Sequence, residues 1–222
     1  MPRILYKYPT RERPLKFFES LDNFYRLVTH DDYVIVVTLD VDDPTATTDE
    51  FKKRILEYPK LQAFWGTSTG KISALNRDIV FFDNWDILVV LADDMVLKEG
   101  FDVEILKAFE DGFSGLVHFN DGIANAALCT FPVMDRAYYD LFGYVYNPVY
   151  KSVAADNEQH EMAVLLKRYK HVPGVDIVRH LHPAYGMAPM DDLYRRNEAP
   201  ALYAEDLNTL RNRRAENFGI KP

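Results

Sequence analysis

Two adjacent acids, Asp93 and Asp94, directly follow the apolar run Ile87 to Ala92. A second acidic group, Asp40, Asp42 and Asp43, directly follows the β-branched run Tyr33 to Leu39. Converging carboxylates repel one another and lose hydration, so such a group is stable only beside a positive partner. A divalent cation would serve, because Mg²⁺ and Mn²⁺ take carboxylate oxygens and bridge them to substrate phosphates. The competing reading is local: Asp is common at helix N-caps and in turns. That reading suits any one of these acids taken singly, whereas the pair Asp93 and Asp94 behind so apolar a run favours the cation. His180 and His182 stand two apart in an extended segment before Pro183, so their side chains share a face. One of them, with His182 the first choice, would add a nitrogen ligand acceptable to Mn²⁺. A hydrogen-bonded structural histidine is the alternative.

Other signals carry less chemistry. Gly66 to Lys71 ends in Gly-Lys, yet only three residues separate its glycines, and Ile72 stands where a phosphate-binding loop needs Ser or Thr. Cys129, inside the apolar stretch AALCTF, reads as a small buried side chain. Tyr138, Tyr139, Phe142, Tyr144, Tyr146 and Tyr150 read as core, or in part as faces on which a sugar stacks.

The elements that must hold these residues alternate. Arg3 to Tyr8 predicts a strand broken at Pro9, and Pro14 opens a helix with apolar residues at Phe17, Leu21, Phe24 and Val28. Tyr33 to Leu39 has the continuous apolar character of a strand buried on both faces. A helix over Thr48 to Glu57, a strand over Leu61 to Trp65, a helix over Lys71 to Asp78 and the strand Trp85 to Ala92 follow. Beyond them the pattern predicts strands at Gly115 to Phe119 and Ala127 to Phe131, helices at Asp135 to Phe142 and Asp156 to Arg168, and a strand at Asp176 to His180. The tail from Ala204 to Glu216 has helical character. The alternation implies an α/β fold: a mainly parallel central sheet with helices on both faces, and a smaller mixed sheet in the C-terminal half. Ligands bind beyond the carboxyl ends of such strands, so Thr10 to Arg13, Asp40 to Asp43, and Asp93 with Asp94 should converge.

With 222 residues, 48% of them hydrophobic, the chain can bury a sizeable core without disulfides. The single Cys129 and the absence of a signal-peptide pattern at Met1 lead us to expect a cytoplasmic location. No apolar run approaches the roughly 20 residues that span a bilayer. A net charge of −8 argues against nucleic acid as a partner, since that affinity comes from Lys and Arg neutralising phosphates. Arg195, Arg196, Arg211, Arg213 and Arg214 stand out in this acidic chain. They form either a solvated face or a segment that closes over an anionic donor or an acidic acceptor.

A resemblance gathers these signals. WDILVVLADDM (Trp85 to Met95) resembles the strand and acidic motif of family 2 glycosyltransferases, which have the glycosyltransferase-A fold. GTSTGKISALNRDI before it resembles that family's glycine, lysine and asparagine stretch. VDDPTATTDE is similar to the turn after the second strand, with Pro44 replacing the usual glycine. FPVMDRAYYDLFGYV resembles a helix carrying Arg136 that leads to a Phe-Gly turn, and ADNEQHE resembles the "ED-x-E" element with Ala155 in place of its first acid. DIVRHLHP resembles the terminal strand whose histidine completes a metal site.

The resemblance implies a single catalytic domain over 1–203, with a nucleotide-binding half (1–95), an acceptor-binding half (96–203) and a charged tail (204–222). It implies an inverting transfer of a sugar from a UDP- or GDP-sugar to a glycan or other hydroxyl, dependent on Mn²⁺ or Mg²⁺. Asp94 and His182 would hold the metal, and Asp93 would face it or the ribose. Asp40 and Asp42 would meet the base or ribose, and Thr10 and Arg11 would line the nucleotide pocket. Lys71 would lie toward the diphosphate, and Asp156 would be the general base, its competing role being a helix N-cap. Two rivals remain. A sugar-phosphate nucleotidyltransferase would use similar acids but usually places glycines in the first loop, which here reads YPTRERP. A non-catalytic carbohydrate- or protein-binding module would have no need for Asp93, Asp94, Asp156 and the histidines.

Overall fold

The computed structural model describes residues 1–220. The first half runs β1 (Ile4–Pro9), α1 (Pro14–Leu27), β2 (Tyr33–Asp40), α2 (Asp49–Ile55), β3 (Leu61–Gly66), α3 (Lys71–Asn76), β4 (Ile87–Val90) and β5 (Met95–Leu97). The second half runs α4 (Phe101–Lys107), β6 (Leu116–Phe119), β7 (Pro132–Asp135), α5 (Arg136–Tyr139), α6 (Ala155–Leu165), β8 (Tyr169–Val172), β9 (Val178–His180), α7 (Asp192–Asn197) and α8 (Pro200–Ala215). Seven strands form one sheet in the order β3-β2-β1-β4-β7-β6-β8, in which only β7 runs against its neighbours. The smaller sheet is the antiparallel ribbon β5-β9.

The alternation of side chains along β1 builds both layers. Ile4, Tyr6 and Tyr8 pack with Phe17, Leu21 and Phe24 of α1, while Leu5 faces the layer containing Ile72 and Leu75 of α3 and Met162 of α6. All eight residues of β2 are buried, as its unbroken apolar run requires of a central strand. Pro14 starts α1, where its fixed φ and missing N–H cost nothing. Thr48 caps α2 by accepting the N–H of Phe51 at 3.2 Å.

Topology then sets the cleft. The chain steps outward from β1 to β2 to β3 and returns to the other side of β1 to add β4. The loops that leave β1 and β4 diverge at that switch, which opens a crevice beyond their carboxyl ends.

The second half departs from the sequence expectations in identifiable ways. Ala127 to Phe131 is not a strand: Asn125–Ala127 is a single 3₁₀ turn and the strand begins at Pro132. Asp121 Oδ1 accepts the N–H groups of Ile123, Ala124 and Asn125 and coils the chain just before this segment, and within it the Cys129 N–H donates to His160 Nδ1 at 3.2 Å rather than to a strand. Cys129 is nonetheless buried, as expected. The helix expected over Asp135 to Phe142 is only α5, and Gly143 at φ 73° turns the chain away. The tail helix α8 begins at Pro200, ahead of the 203/204 boundary; Lys221 and Pro222 of the expected tail lie outside the described residues.

Gly115, at φ 156°, lets β6 and β8 approach. A Cβ there would lie 2.2 Å from the Arg168 carbonyl oxygen, whose partner is the Leu116 N–H. Gly115→Ala is expected to lower stability by about 2–3 kcal/mol. Urea unfolding checks this, and an unchanged midpoint would contradict it.

Candidate functional site

The three strand ends named by the sequence do converge. Arg11, just past β1, donates to Asp40 Oδ2 (2.9 Å) and makes a two-pronged pair with Asp42 (2.7 and 3.1 Å). Asp43 instead closes the turn, accepting from the Glu12 N–H at 2.7 Å and from the Thr45 N–H at 2.9 Å. Thr10 is held at the mouth by its N–H bond to the Thr38 carbonyl. On the far side of Asp40, Oδ1 stands 3.5 Å from Arg77 Nη1, and both atoms are buried without a hydrogen bond. Gly66 makes room for that guanidinium, which a Cβ would meet at 2.8 Å.

Beyond β4, Asp93 accepts from Arg13 Nη1 at 3.0 Å. Burial pushes the Asp93 carboxyl up to about 6 despite Arg13. Asp94 is differently placed. Its Oδ2 accepts from the Tyr194 hydroxyl and lies 3.6 Å from His180 Nε2, while its Oδ1 is buried with no partner. Burial opposes charge on Asp94, yet the bonds from His180 and Tyr194 hold its carboxyl below the usual range. His180 completes a relay: its Nδ1 lies 3.3 Å from Asp121 Oδ2, so the ring bridges two carboxylates. Burial disfavours its charge, but Asp121 and Asp94 outweigh burial and lift it to about 9.

His182 faces His180, with ring centroids 5.3 Å apart, but both its nitrogens are engaged. Nε2 is 3.0 Å from Glu198 Oε1, and Nδ1 accepts the Ala184 N–H at 3.2 Å. Burial lowers its pKa.

Asp156 is the second residue of α6 and half-buried, and burial raises its pKa against the opposing charges of Lys71 and His180. Lys71, exposed at the start of α3, also acts on Asp94. These charges therefore share one cleft. Asp156 does not cap α6 through a side-chain bond at the N-cap position, which Ala154 occupies.

Several groups at the site escaped sequence reasoning. Asp121 stands at the end of β6 before a glycine, the same strand-end signal that singled out Asp40 and Asp94. Tyr194 and Asp191 had no local signal. Asp191 accepts from Arg13 at 2.6 Å and Lys16 at 3.1 Å, and the Arg13 guanidinium sits 4.2 Å over the Tyr194 ring. The tail arginines dock within the chain: Arg213 on Glu158, Arg214 on Glu161, Arg195 on Asp192 and Arg196 on Glu12. Arg211 is exposed. Arg136 lies at the amino end of β4, remote from Asp93 and Asp94, with its guanidinium over Trp85.

Among the described residues, no three His, Cys, Asp or Glu side chains are grouped to hold a metal ion by themselves. Mg²⁺ at phosphate sites commonly uses one or two carboxylates and borrows its remaining oxygens from water and substrate. The orphaned, buried Asp94 Oδ1 fits that limited donor set.

Solved structures similar to this fold include glycosyltransferases. The mannosyltransferase PcManGT from Pyrobaculum calidifontis, in complex with GDP-Man and Mn2+, matches with TM-score 0.66 at 16% identity, over 96% of this chain and 75% of its own. TarS from S. aureus matches with TM-score 0.64 at 13% identity, over 93% of this chain and 71% of that one. A TarS complex with UDP-GlcNAc matches equally well over 86% and 60%. At these identities the likeness establishes the glycosyltransferase-A-like fold. No protein family and no curated protein matches the sequence. No helix among the described residues is long and apolar enough to cross a membrane.

Beneath the cleft, Lys7 is fully buried in β1, donating to the Thr38 hydroxyl, which donates to Asp78 Oδ2 at 2.5 Å. Burial lowers Lys7 from its ordinary 10.5 to about 7, with Asp78 opposing. Between those values the unfolded chain holds more protons, so this residue makes stability rise with pH, and its full cost is present below about 7. His180 acts in the opposite sense between 6.5 and about 9. Lys7→Met isolates the lysine. Its stability relative to the parent is expected to be most favourable near pH 6.5 and to decline by roughly 2–4 kcal/mol towards pH 9.5. Urea titrations across that range test it; a pH-independent difference would contradict it.

Proposed function

We propose that the protein is an inverting, divalent-metal-dependent glycosyltransferase of the family 2 type, moving a sugar from a UDP- or GDP-sugar to an acceptor hydroxyl. The observation that carries this reading is the unpartnered, buried oxygen of Asp94 at the carboxyl end of β4 in a glycosyltransferase-A-like fold. Asp156, near the start of α6, feels the charges of the same Lys71 and His180 that act on Asp94. The relatives in fold that bind GDP-Man with Mn2+ and UDP-GlcNAc support the donor class.

Each residue then has a task. The free Asp40 oxygen beside Arg77 Nη1 presents an acceptor next to a donor, complementary to a nucleobase edge, and Arg11 with Thr10 borders that pocket. Asp42 and Asp93 face the ribose. Asp94 would hold the cation, and His180, giving up its Nε2 proton to solvent as the cation replaces that charge, would be the nitrogen ligand in preference to His182. The His180 Nδ1 bond to Asp121 orients the ring in the way that carboxylates orient metal-binding histidines, whereas His182 has no free nitrogen. A cation bound there supplies Lewis-acid neutralisation of the departing diphosphate. Lys71 adds a positive charge on the same side. Asp156 accepts the acceptor's hydroxyl proton as that oxygen bonds to the anomeric carbon and the diphosphate leaves with the bonding electron pair. Its raised pKa suits a base that must hold the proton briefly.

Calorimetry with UDP and GDP is expected to show binding with Mn²⁺ that EDTA removes, and Asp94→Ala is expected to abolish the metal dependence. Equally tight binding in EDTA would sink the metal assignment. His180→Ala should weaken Mn²⁺ binding by about 10–100-fold, more than His182→Ala does.

Asp156→Asn should keep donor binding while turnover falls about 10²- to 10⁴-fold, and product NMR should show inversion at the anomeric carbon. Near-normal turnover in that variant, or retention of configuration, would remove Asp156 from the chemistry.

A further inference from the structure

Asp206 of α8 is 1% exposed, although that helix is otherwise largely solvated. Its Oδ2 accepts the N–H groups of Ser152 (2.8 Å) and Val153 (2.9 Å), and the Lys151 N–H lies 3.1 Å from Oδ1 and 3.3 Å from Oδ2. Three successive amides turned onto one carboxylate make an anion-binding nest, filled here from within the chain. The next residue, Ala154, takes φ 62°, a left-handed conformation that a residue with a Cβ adopts only where its surroundings impose it. Helix α6 starts immediately after, with Asp156 as its second residue and no side-chain cap of its own.

Beyond Asp156 the same helix grips again. Glu158, 1% exposed, accepts from Arg213 Nε (3.0 Å) and Nη2 (2.7 Å), as well as from Asn147 and the Tyr150 hydroxyl. Helix α8 therefore holds the chain with an acid before Asp156 and a base after it. The held loop also reaches the start of α3: the Lys151 carbonyl accepts the Ile72 N–H at 3.4 Å, next to Lys71, and a Cβ on Gly70 would lie 3.2 Å from that oxygen.

We infer that α8 is a clamp that fixes the Asp156 carboxylate relative to Lys71, with Asp206 as its positioning residue. This rests on the proposed role of Asp156 as base. Asp206 bonds the loop's amides and none of the groups assigned to the donor, so its effect falls on the placement of the base and not on donor affinity. A base displaced by about 1 Å from its hydroxyl loses much of its effect.

The test uses the full chain and Asp206→Asn, which keeps the volume and removes the charge, with Asp206→Ala as a second variant. Hydrogen exchange is followed over residues 151–157, with β2 and β4 as internal references that must stay protected for a variant to count as folded. Turnover is read as release of nucleoside diphosphate from UDP- and GDP-sugars with water as acceptor. We expect loop exchange to rise about tenfold, Mn²⁺-dependent UDP or GDP affinity to stay within about twofold, and turnover to fall about 10–100-fold. In an Asp156→Asn background the Asp206 substitution should add no further loss of turnover. Unchanged loop exchange, or the same fold loss in both backgrounds, would overturn the clamp. If Asp156→Asn alone turns over normally, the base assignment falls by that result, while loop exchange still decides whether α8 holds the loop.

Discussion

Negative charge gathered at the carboxyl end of one sheet has to be neutralised, and the side chains around the cleft are arranged by that requirement. At an effective dielectric near 20, two like charges 4 Å apart repel by about 4 kcal/mol, a large part of a domain's net stability. Asp40 and Asp42 are answered by Arg11, Asp93 by Arg13, and Asp94 and Asp121 by the shared imidazole of His180. Two buried carboxylate oxygens of this group stay without a hydrogen bond: Asp40 Oδ1, which has Arg77 Nη1 3.5 Å away, and Asp94 Oδ1. Of the two, only the Asp94 oxygen lacks a Lys or Arg nitrogen within 4.0 Å among the described residues, which is why the proposed cation is assigned there.

The scaffold makes this matching possible through the β5-β9 ribbon. Its register sets Met95 opposite His180, and the Leu181 N–H donates to the Asp94 carbonyl at 2.7 Å. The histidine thus reaches Asp94 through backbone pairing and does not depend on a flexible side chain alone. The irregular segment after β6 has a matching logic. Asp121 spends one oxygen on three amides and presents the other to His180, so a single turn both coils the chain and orients the ring.

Much of the parallel half was legible in the sequence because its signals are local. The apolar runs of β2 and β4 end in acids, Pro14 marks the start of α1, and the convergence of Thr10 to Arg13 with the two acidic groups follows from sheet topology. The second half was harder because its elements are short and its contacts distant. The apolar stretch around Cys129 looks like a strand, but a turn bonded to Asp121 precedes it and the Cys129 N–H goes to His160 Nδ1 instead of a ladder. The buried roles of Glu158 and Asp206 depend on α8 packing against α6 and its preceding loop, which no residue spacing reveals. The arginine cluster was conspicuous in the sequence, yet only the packing shows that two of its members pair with acids of α6.

The separations along the chain have a consequence in time. Arg13 meets Asp191 across 178 positions, Glu12 meets Arg196 across 184, and Asp94 meets Tyr194 across 100. Closing contacts of such long range is slow, because chain entropy is lost before the contact returns any energy. During synthesis the strands carrying Asp40, Asp93 and Asp94 emerge well before His180, Asp191 and Tyr194. The early sheet already has Arg11 for Asp40 and Arg13 for Asp93, but Asp94 stays without His180 and Tyr194 until the last quarter of the chain arrives, and its side of the cleft cannot take its native shape before then.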